Sequence, residues 1–284
     1  MHQLDQAPDA VGADRNPGQA PPHLVLKDIR ISYPGRDGKA PFVAVDGVDL
    51  EVREGEFITI VGPSGCGKST LLLAVDGLVK PAAGEISLGG RPVTKPGPDR
   101  AMVFQEFGLL PWRTVLSNIE FGMELNRHPD REAKARQLIK LVGLEGFEKH
   151  HPHELSGGMR QRVGIARALA VDPDVLLMDE PFGALDAQTR EIMASELLKV
   201  WDQQRKTVLF VTHGIDESIY LADRVVVMGK GPGRVLEQIE IDLPRPRTAA
   251  VRSRPEFLRY RERISELLFT EQREDQRVPE ALGG

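Results

Sequence analysis

The stretch "FITIVGPSGCGKST" runs from residue 57 to residue 70, and its two halves ask for different backbones. Phe57 to Val61 is a short, continuous apolar run, the pattern of a parallel strand buried on both faces. After it come glycines at 62, 65 and 67, then Lys68, Ser69 and Thr70 at the head of a helical run carrying Leu71, Leu72, Leu73 and Val75. G-x-x-x-x-G-K-[ST] between a strand and a helix is the setting in which a loop turns its amides toward phosphate, and the helix start adds positive potential. The expected phosphate cradle is therefore Gly62, Pro63, Ser64, Gly65, Cys66, Gly67, Lys68, Ser69 and Thr70. Lys68 is expected to reach the β and γ phosphates, and the Ser69 hydroxyl to hold Mg2+. Cys66 reads as a small filler of the loop, so a bulky thiol reagent should block nucleotide binding there.

Working outward, "VLLMDE" (175–180) is a second apolar run that ends in acids. A parallel strand delivers the residues at its carboxyl end to the same rim as the phosphate loop. Asp179 is thus expected in a magnesium shell and Glu180 beside the attacking water. The other reading, Asp-Glu capping a helix after Pro181, leaves the upstream cradle without its acids. His213 closes the apolar strand "TVLFVTH" and either senses the γ phosphate or is structural.

The remaining pattern builds an α/β domain. "HLVLKDIRISY" alternates Ile29, Ile31 and Tyr33 on one face, and "VAVDGVDLEV" behaves similarly, which predicts a small antiparallel β layer. Tyr33 either stacks on a base or packs in that layer. From about Gln105 to His153 the spacing becomes irregular and then helical. A helix over "LSGGMRQRVGIARALAVDP" stops at Asp172-Pro173, and helices then alternate with the strands "DVLLMDEP", "TVLFVTH" and "RVVVM". That alternation implies a parallel sheet with both faces covered. After Leu243, "PRPRTAAVRSRPEF" reads as a linker to an amphipathic helix with a stripe of Phe257, Leu258, Ile264, Leu267 and Leu268. Its mixed charge favours docking on its own domain over a membrane surface.

Composition narrows the function classes. The chain has 284 residues, 40% hydrophobic and 28% charged, enough for a sizeable core. Lys plus Arg number 37 against 42 Asp plus Glu, a net charge of −5, so no basic field points to nucleic acid. No apolar run approaches the roughly eighteen residues of a membrane span. Residues 1–22 lack a secretory pattern, are rich in Pro, Gly, Ala and Asp, and read as a disordered tail. A single cysteine excludes an internal disulfide and fits a reducing cytoplasm. His150, His151 and His153 crowd together, but Pro152 interrupts them and no matching ligand set accompanies them.

One stretch is left over. "LSGGMRQR" (155–162) opens its helix with a small polar residue and two glycines, a second seat for an anion. Taken in order, the phosphate loop, Gln105, "LSGGMRQR", "MDEP", "ALD" (184–186) and His213 resemble the ATPase subunits of ABC transporters over about residues 24–242. The resemblance implies a P-loop NTPase fold: a parallel-sheet core, an N-terminal antiparallel β layer and a helical subdomain. It divides the chain into a tail (1–22), an ATPase domain (23–243, helical part about 106–155), and a linker with a C-terminal helix (244–284).

It also implies ATP and Mg2+ as ligands and a head-to-tail pair of ATPase chains. In that pair Ser156, Gly157, Gly158 and Gln161 face the partner's ATP, and Asp186 crosses between the copies. Tyr33 then stacks adenine, Gln105 contacts magnesium and relays to a membrane partner, and His213 attends the γ phosphate. Gly214 departs from the family, many of whose members carry Asp there. "FQEFGLLPWRTVLSNIEFG" resembles the surface that receives a permease helix, although by periodicity alone Trp112 and its apolar neighbours fit a core equally well. The C-terminal segment resembles the subgroup serving nitrate, sulfonate and taurine importers, which work with permease subunits and an extracytoplasmic solute-binding protein. The implied place is peripheral, on the cytoplasmic face of the membrane. A soluble, non-transport ABC ATPase is the alternative, though residues 68 and 156 lie too close for a coiled-coil arm. A small-molecule kinase would leave "LSGGMRQR" and Glu180 without a role.

Overall fold

A computed structural model describes residues 22–35, 40–106, 108–183 and 185–277; apart from Pro22, the expected tail at 1–22 lies outside them. The first sheet is antiparallel, in the order β2-β1-β4-β5: β1 (Leu24–Tyr33), β2 (Phe42–Val52), β4 (Ala83–Leu88) and β5 (Arg91–Pro92). In β1, Leu24 and Leu26 are buried and so are Ile29 and Ile31, a change of phase by one residue. A bulge supplies it: the register shifts against both neighbours and Asp28 takes φ +48°. Both apolar pairs thereby face one core.

The second sheet runs β10-β9-β3-β8-β7-β6. It comprises β3 (Phe57–Val61), β6 (Arg100–Val103), β7 (Val175–Asp179), β8 (Thr207–Thr212), β9 (Arg224–Gly229) and β10 (Arg234–Glu240). All its pairings are parallel except β9 with β10. The apolar run at 57–61 is buried throughout. Ile58 and Ile60 pack toward α1 (Lys68–Asp76) and the antiparallel sheet, whereas Phe57 and Val61 join the larger helical core. Each such side chain contributes roughly 1.5–3 kcal/mol by leaving water.

The helical part contains α2 (Val115–Leu125) and α3 (Arg131–Leu141), packed on α4 (Gly157–Ala170). Before α2 the chain is irregular and is tied down by the buried Asn118. Its amide accepts from Leu110 N–H at 2.9 Å and donates to the carbonyls of Leu110, Arg113 and Thr114 at 3.0–3.1 Å. Thr114 caps α2.

The Pro/Arg-rich stretch after Leu243 differs from the expected linker. Arg247 is buried and donates to Ala222 O at 2.6 Å, to Ile219 and Tyr220 O at 3.1 Å, and to Leu243 and Ile241 O at 3.3 and 3.4 Å. These include the last carbonyls of α6 (Ile215–Leu221), which have no partner within their own helix. Burial lowers the guanidinium to about 10. Arg245 joins Asp223 at 2.7 Å and lies 4.3 Å over the Trp201 ring. The stretch is a strap, and it leads into α7 (Pro255–Arg277), docked through Phe257 and Ile264, while Leu258 of the expected stripe is exposed. Among the described residues no helix is long and apolar enough to cross a membrane.

Replacing Arg247 by Ala strips five carbonyls of one charged donor. Urea unfolding should show a loss of about 3 kcal/mol or more, since hydrogen bonds to charged groups contribute roughly 1.5–3 kcal/mol each. The exposed Arg259→Ala should stay within about 0.5 kcal/mol. Equal effects of the two would refute the strap.

Candidate functional site

Where β3 ends, the chain curls through the loop at 62–70. Gly67 has φ +89°, and a Cβ there would lie 2.7 Å from Val45 Cγ2 and 2.8 Å from Ala44 O, so β2 presses on the loop too closely for any side chain. Lys68, only 5% exposed, donates from Nζ to Gly62 O at 2.8 Å and Pro63 O at 3.1 Å. Among the described residues its hydrogen bonds go to these carbonyls and to Cys66 Sγ and none to a carboxylate, which leaves an ammonium in want of an anion. Ser64, Gly65 and Ser69 face solvent on the open side, with Thr70 half-buried behind them.

Cys66 fills the loop from behind. It is buried, with Sγ 3.9 Å from Lys68 Nζ, and burial pushes its thiol up. A thiol packed behind the loop is not a handle on the nucleotide face.

Asp179 closes β7, and its Oδ1 accepts from Ser69 Oγ at 2.8 Å. Burial raises this carboxyl and the Ser69 hydrogen bond opposes the rise. One hydroxyl and one carboxylate in contact form an oxygen pair suited to Mg2+, which takes one or two carboxylates and completes its shell with phosphate and water. Glu180 leaves the strand with φ +42°, its N–H bonded to Val211 O at 3.0 Å. A non-glycine residue in this region is strained by about 1 kcal/mol or more. Its Oε2 lies 3.1 Å from Nδ1 of His213, which follows β8.

Gln105 reaches the same corner: a Cβ on Gly183 would meet Gln105 Nε2 at 3.5 Å and Glu180 Oε2 at 3.7 Å. Tyr33 ends β1 opposite Phe42, half exposed. Val45, which touches Gly67, pairs with Ile31, so the sheet brings Tyr33 within two residues of the loop contact.

Sequence reasoning missed Glu217. It is 8% exposed, hydrogen-bonded by the Thr212 hydroxyl, and its carboxyl is raised by burial. Thr212 Oγ1 in turn accepts from Gly214 N–H at 3.0 Å, so the pair braces the turn that carries His213. The available signal was an acid three residues after the helix N-cap Gly214.

The second anion seat opens elsewhere. Ser156 caps α4, its Oγ accepting from Met159 N–H at 3.3 Å. Ser156, Gly157 and Gly158 line a groove of about 620 Å³ with Asp186 and Thr189 and with no phosphate-loop residue. Asp186 caps α5 (Ala187–Gln204); Thr189 Oγ1 donates to it at 2.7 Å and Thr189 N–H at 3.0 Å, which together lower its carboxyl. Gln161 does not belong with them. It is 0% exposed and turned inward on the face of Ile165 and Ala168, because four residues along a helix return to the same side.

Residues 45–183 match the family model of the ABC transporter. The chain is 55% identical over 230 residues to an uncharacterized ABC transporter ATP-binding protein of Methanocaldococcus jannaschii, covering 80% of this chain and 85% of that one. The chain belongs to the ABC transporter family. The nitrate import ATP-binding protein NrtD of Synechococcus elongatus is 47% identical over 239 residues, 81% of this chain and 86% of its own length. The taurine import ATP-binding protein TauB of Pseudomonas entomophila is 45% identical over 258 residues, 88% and 98% of the two chains. A dimeric structure of the ATP-binding cassette MJ0796 in a post-hydrolysis state with ADP and Pi superposes with a TM-score of 0.68 at 33% identity, covering 78% of this chain and all of that one. The fold is that of an ABC ATPase cassette, and the chain is an ATPase of that family.

The buried thiol gives a direct check. Native protein should react with a bulky thiol reagent about 100-fold or more slowly than protein in urea, because only an accessible thiolate attacks. Comparable rates would contradict the packing of Cys66.

Proposed function

We propose that this ABC ATPase powers an importer for a small solute of the nitrate, sulfonate or taurine kind, as two copies bound to permease subunits on the cytoplasmic face of the membrane. The observation that carries the chemistry is the Glu180–His213 contact of 3.1 Å at the rim where Ser69 meets Asp179. The relatives named for nitrate and taurine import support the class of solute.

In this reading Lys68 and the amides of 62–70 hold the β and γ phosphates of ATP. Ser69 and Asp179, with Gln105, would hold Mg2+, which when bound neutralises charge on the phosphate oxygens. Glu180 accepts a proton from the attacking water, and His213 orients it from the other side. Tyr33 is placed for the adenine. The terminal phosphate meets Ser156, Gly157 and Gly158 of a second copy, whose helix start offers amide N–H groups, with Asp186 beside the junction. Gln161 supports that helix from inside. Trp112, 72% exposed, and Phe104, exposed next to Gln105 in sequence, would offer apolar contacts to a permease helix. The solute meets an outer binding protein and the permease, not this chain.

Glu180→Gln removes only the proton acceptor. Turnover should fall by roughly 100- to 10,000-fold while ATP binding persists. Size-exclusion chromatography with ATP should then show a dimer that an added Ser156→Arg abolishes. Wild-type turnover, or a dimer indifferent to Ser156→Arg, would overturn the assignment.

The transport reading is tested on the chain reconstituted with its permease. The binding protein loaded with nitrate, a sulfonate or taurine should stimulate ATP hydrolysis, and Trp112→Asp should remove the stimulation but spare basal hydrolysis. No stimulation by any of these solutes would sink the proposed substrate class.

A further inference from the structure

The phosphate loop is supported from behind by the turn between β9 and β10. A Cβ on Gly62 would lie 2.6 Å from Met228 O, and one on Gly233 would fall onto Cys66 O and within 3.0 Å of Ala44 O. Gly233 also donates to Ala44 O at 3.0 Å and accepts from Asp46 N–H at 2.9 Å. Ala44 is the residue that presses on Gly67. The turn is thus a wedge between the loop and the antiparallel sheet, built of Gly229, Lys230, Gly231, Pro232 and Gly233, a run with almost no side chain to hold it in place.

Its fastening comes from far along the chain. Glu271, near the end of α7, is 8% exposed. Its Oε1 accepts from Lys230 N–H at 2.8 Å and its Oε2 from Arg234 Nη2 at 3.1 Å. Arg234 Nη1 donates to Lys230 O at 2.6 Å, so carboxylate, guanidinium and turn backbone form a closed ring. Gly229 makes the approach possible, since a Cβ there would meet Glu271 Oε1 at 2.5 Å.

We infer that Glu271 is a positioning residue for the phosphate loop, holding the β9–β10 turn so that the turn holds Gly62 and Cys66. This rests on the reading of residues 62–70 as the ATP loop. A buried carboxylate bonded to one backbone amide and one guanidinium fixes the position of both, which mere apolar docking of α7 would not do. The same helix is also pinned to β10 by Arg263 and Glu237 at 2.5 Å, away from the loop. That pair separates the two effects.

The experiment uses the full chain and compares Glu271→Ala, Glu271→Gln and Glu237→Gln by steady-state ATP hydrolysis, ATP titration calorimetry and thermal melting. Glu271→Ala should raise the KM and Kd for ATP about five- to tenfold with kcat within about twofold, the signature of lost ground-state binding. Glu271→Gln should fall between it and wild type, because the amide oxygen still accepts from Lys230 N–H but has no charge for Arg234. Glu237→Gln should leave KM unchanged. A folded Glu271→Ala with wild-type KM overturns the inference, as does a Glu237→Gln variant with the same rise. Should Glu271→Ala fail to fold, an unchanged KM in Glu271→Gln is decisive against it. If the wild-type chain itself shows no saturable ATP binding, the ATP reading fails and takes this inference with it.

Discussion

Strands β3 and β7 do not pair; β8 lies between them, and the Ser69–Asp179 hydrogen bond of 2.8 Å crosses over it. That crossing requires all three strands to end at one level. The register provides it, with Val61 beside Thr212 and Asp179 beside Val211. A slip of one residue would turn every side chain of a strand to the other face. Here the faces are set by different partners, α1 and the antiparallel sheet on one side and the helical core on the other. The apolar runs at 57–61, 175–178 and 208–211 therefore do more than fill space. They hold the height at which Lys68, Asp179, Glu180 and His213 are presented.

What stands on that rim is costly for the fold. Lys68 is buried against carbonyls, Glu180 occupies a strained φ, and burial raises the carboxyls of Asp179 and Glu217. The sign of the last two follows from linkage. An acid raised in the folded state binds its proton more tightly there than in the unfolded chain. Stability is thus lost as pH rises from the unfolded value through the folded one. Ionising either group in the folded chain carries a cost, and a cation beside Asp179 would reverse that cost at its position. The polyanion and cation of the proposed reaction would complement the charges gathered on this rim.

Legibility followed the strength of local pattern. The loop at 62–70 and the acids at 179–180 could be read because motif spacing and continuous apolar runs coincide at the carboxyl ends of strands. β6 escaped notice because Arg100–Val103 is too short to show a period, and β10 because its mixed residues half face solvent. The bulge in β1 hid a phase change that no alternation rule contains. Gln161 was misplaced because a motif fixes which residues stand together in sequence, whereas helix phase decides which way each one faces. Arg245 and Arg247 sit among prolines and read as linker, yet a guanidinium with five donors can satisfy a buried helix end as no apolar residue can. Glu271 lies some two hundred residues from the loop in sequence yet holds the Lys230 amide of the turn behind it, a relation only the folded chain makes visible.

The two anion seats also differ in their charge. The loop at 62–70 has its own buried cation in Lys68, while the groove at Ser156 offers a helix start with Arg162 also on its lining, and the charge of Asp186 beside it is engaged in capping α5. A helix start alone attracts an anion weakly, by typically 0.3–1 kcal/mol at an exposed site. Under the proposed head-to-tail pairing, the seat at Ser156 would contribute most once the phosphate is already held by the partner's lysine and water is excluded. ATP then acts as the shared ligand of two surfaces, and any ligand that binds the pair and not the separate copies stabilises the pair by mass action. Cleaving the γ phosphate removes the part that reaches across. Under that pairing the γ phosphate is the part of ATP that both seats share, so its release would weaken the join.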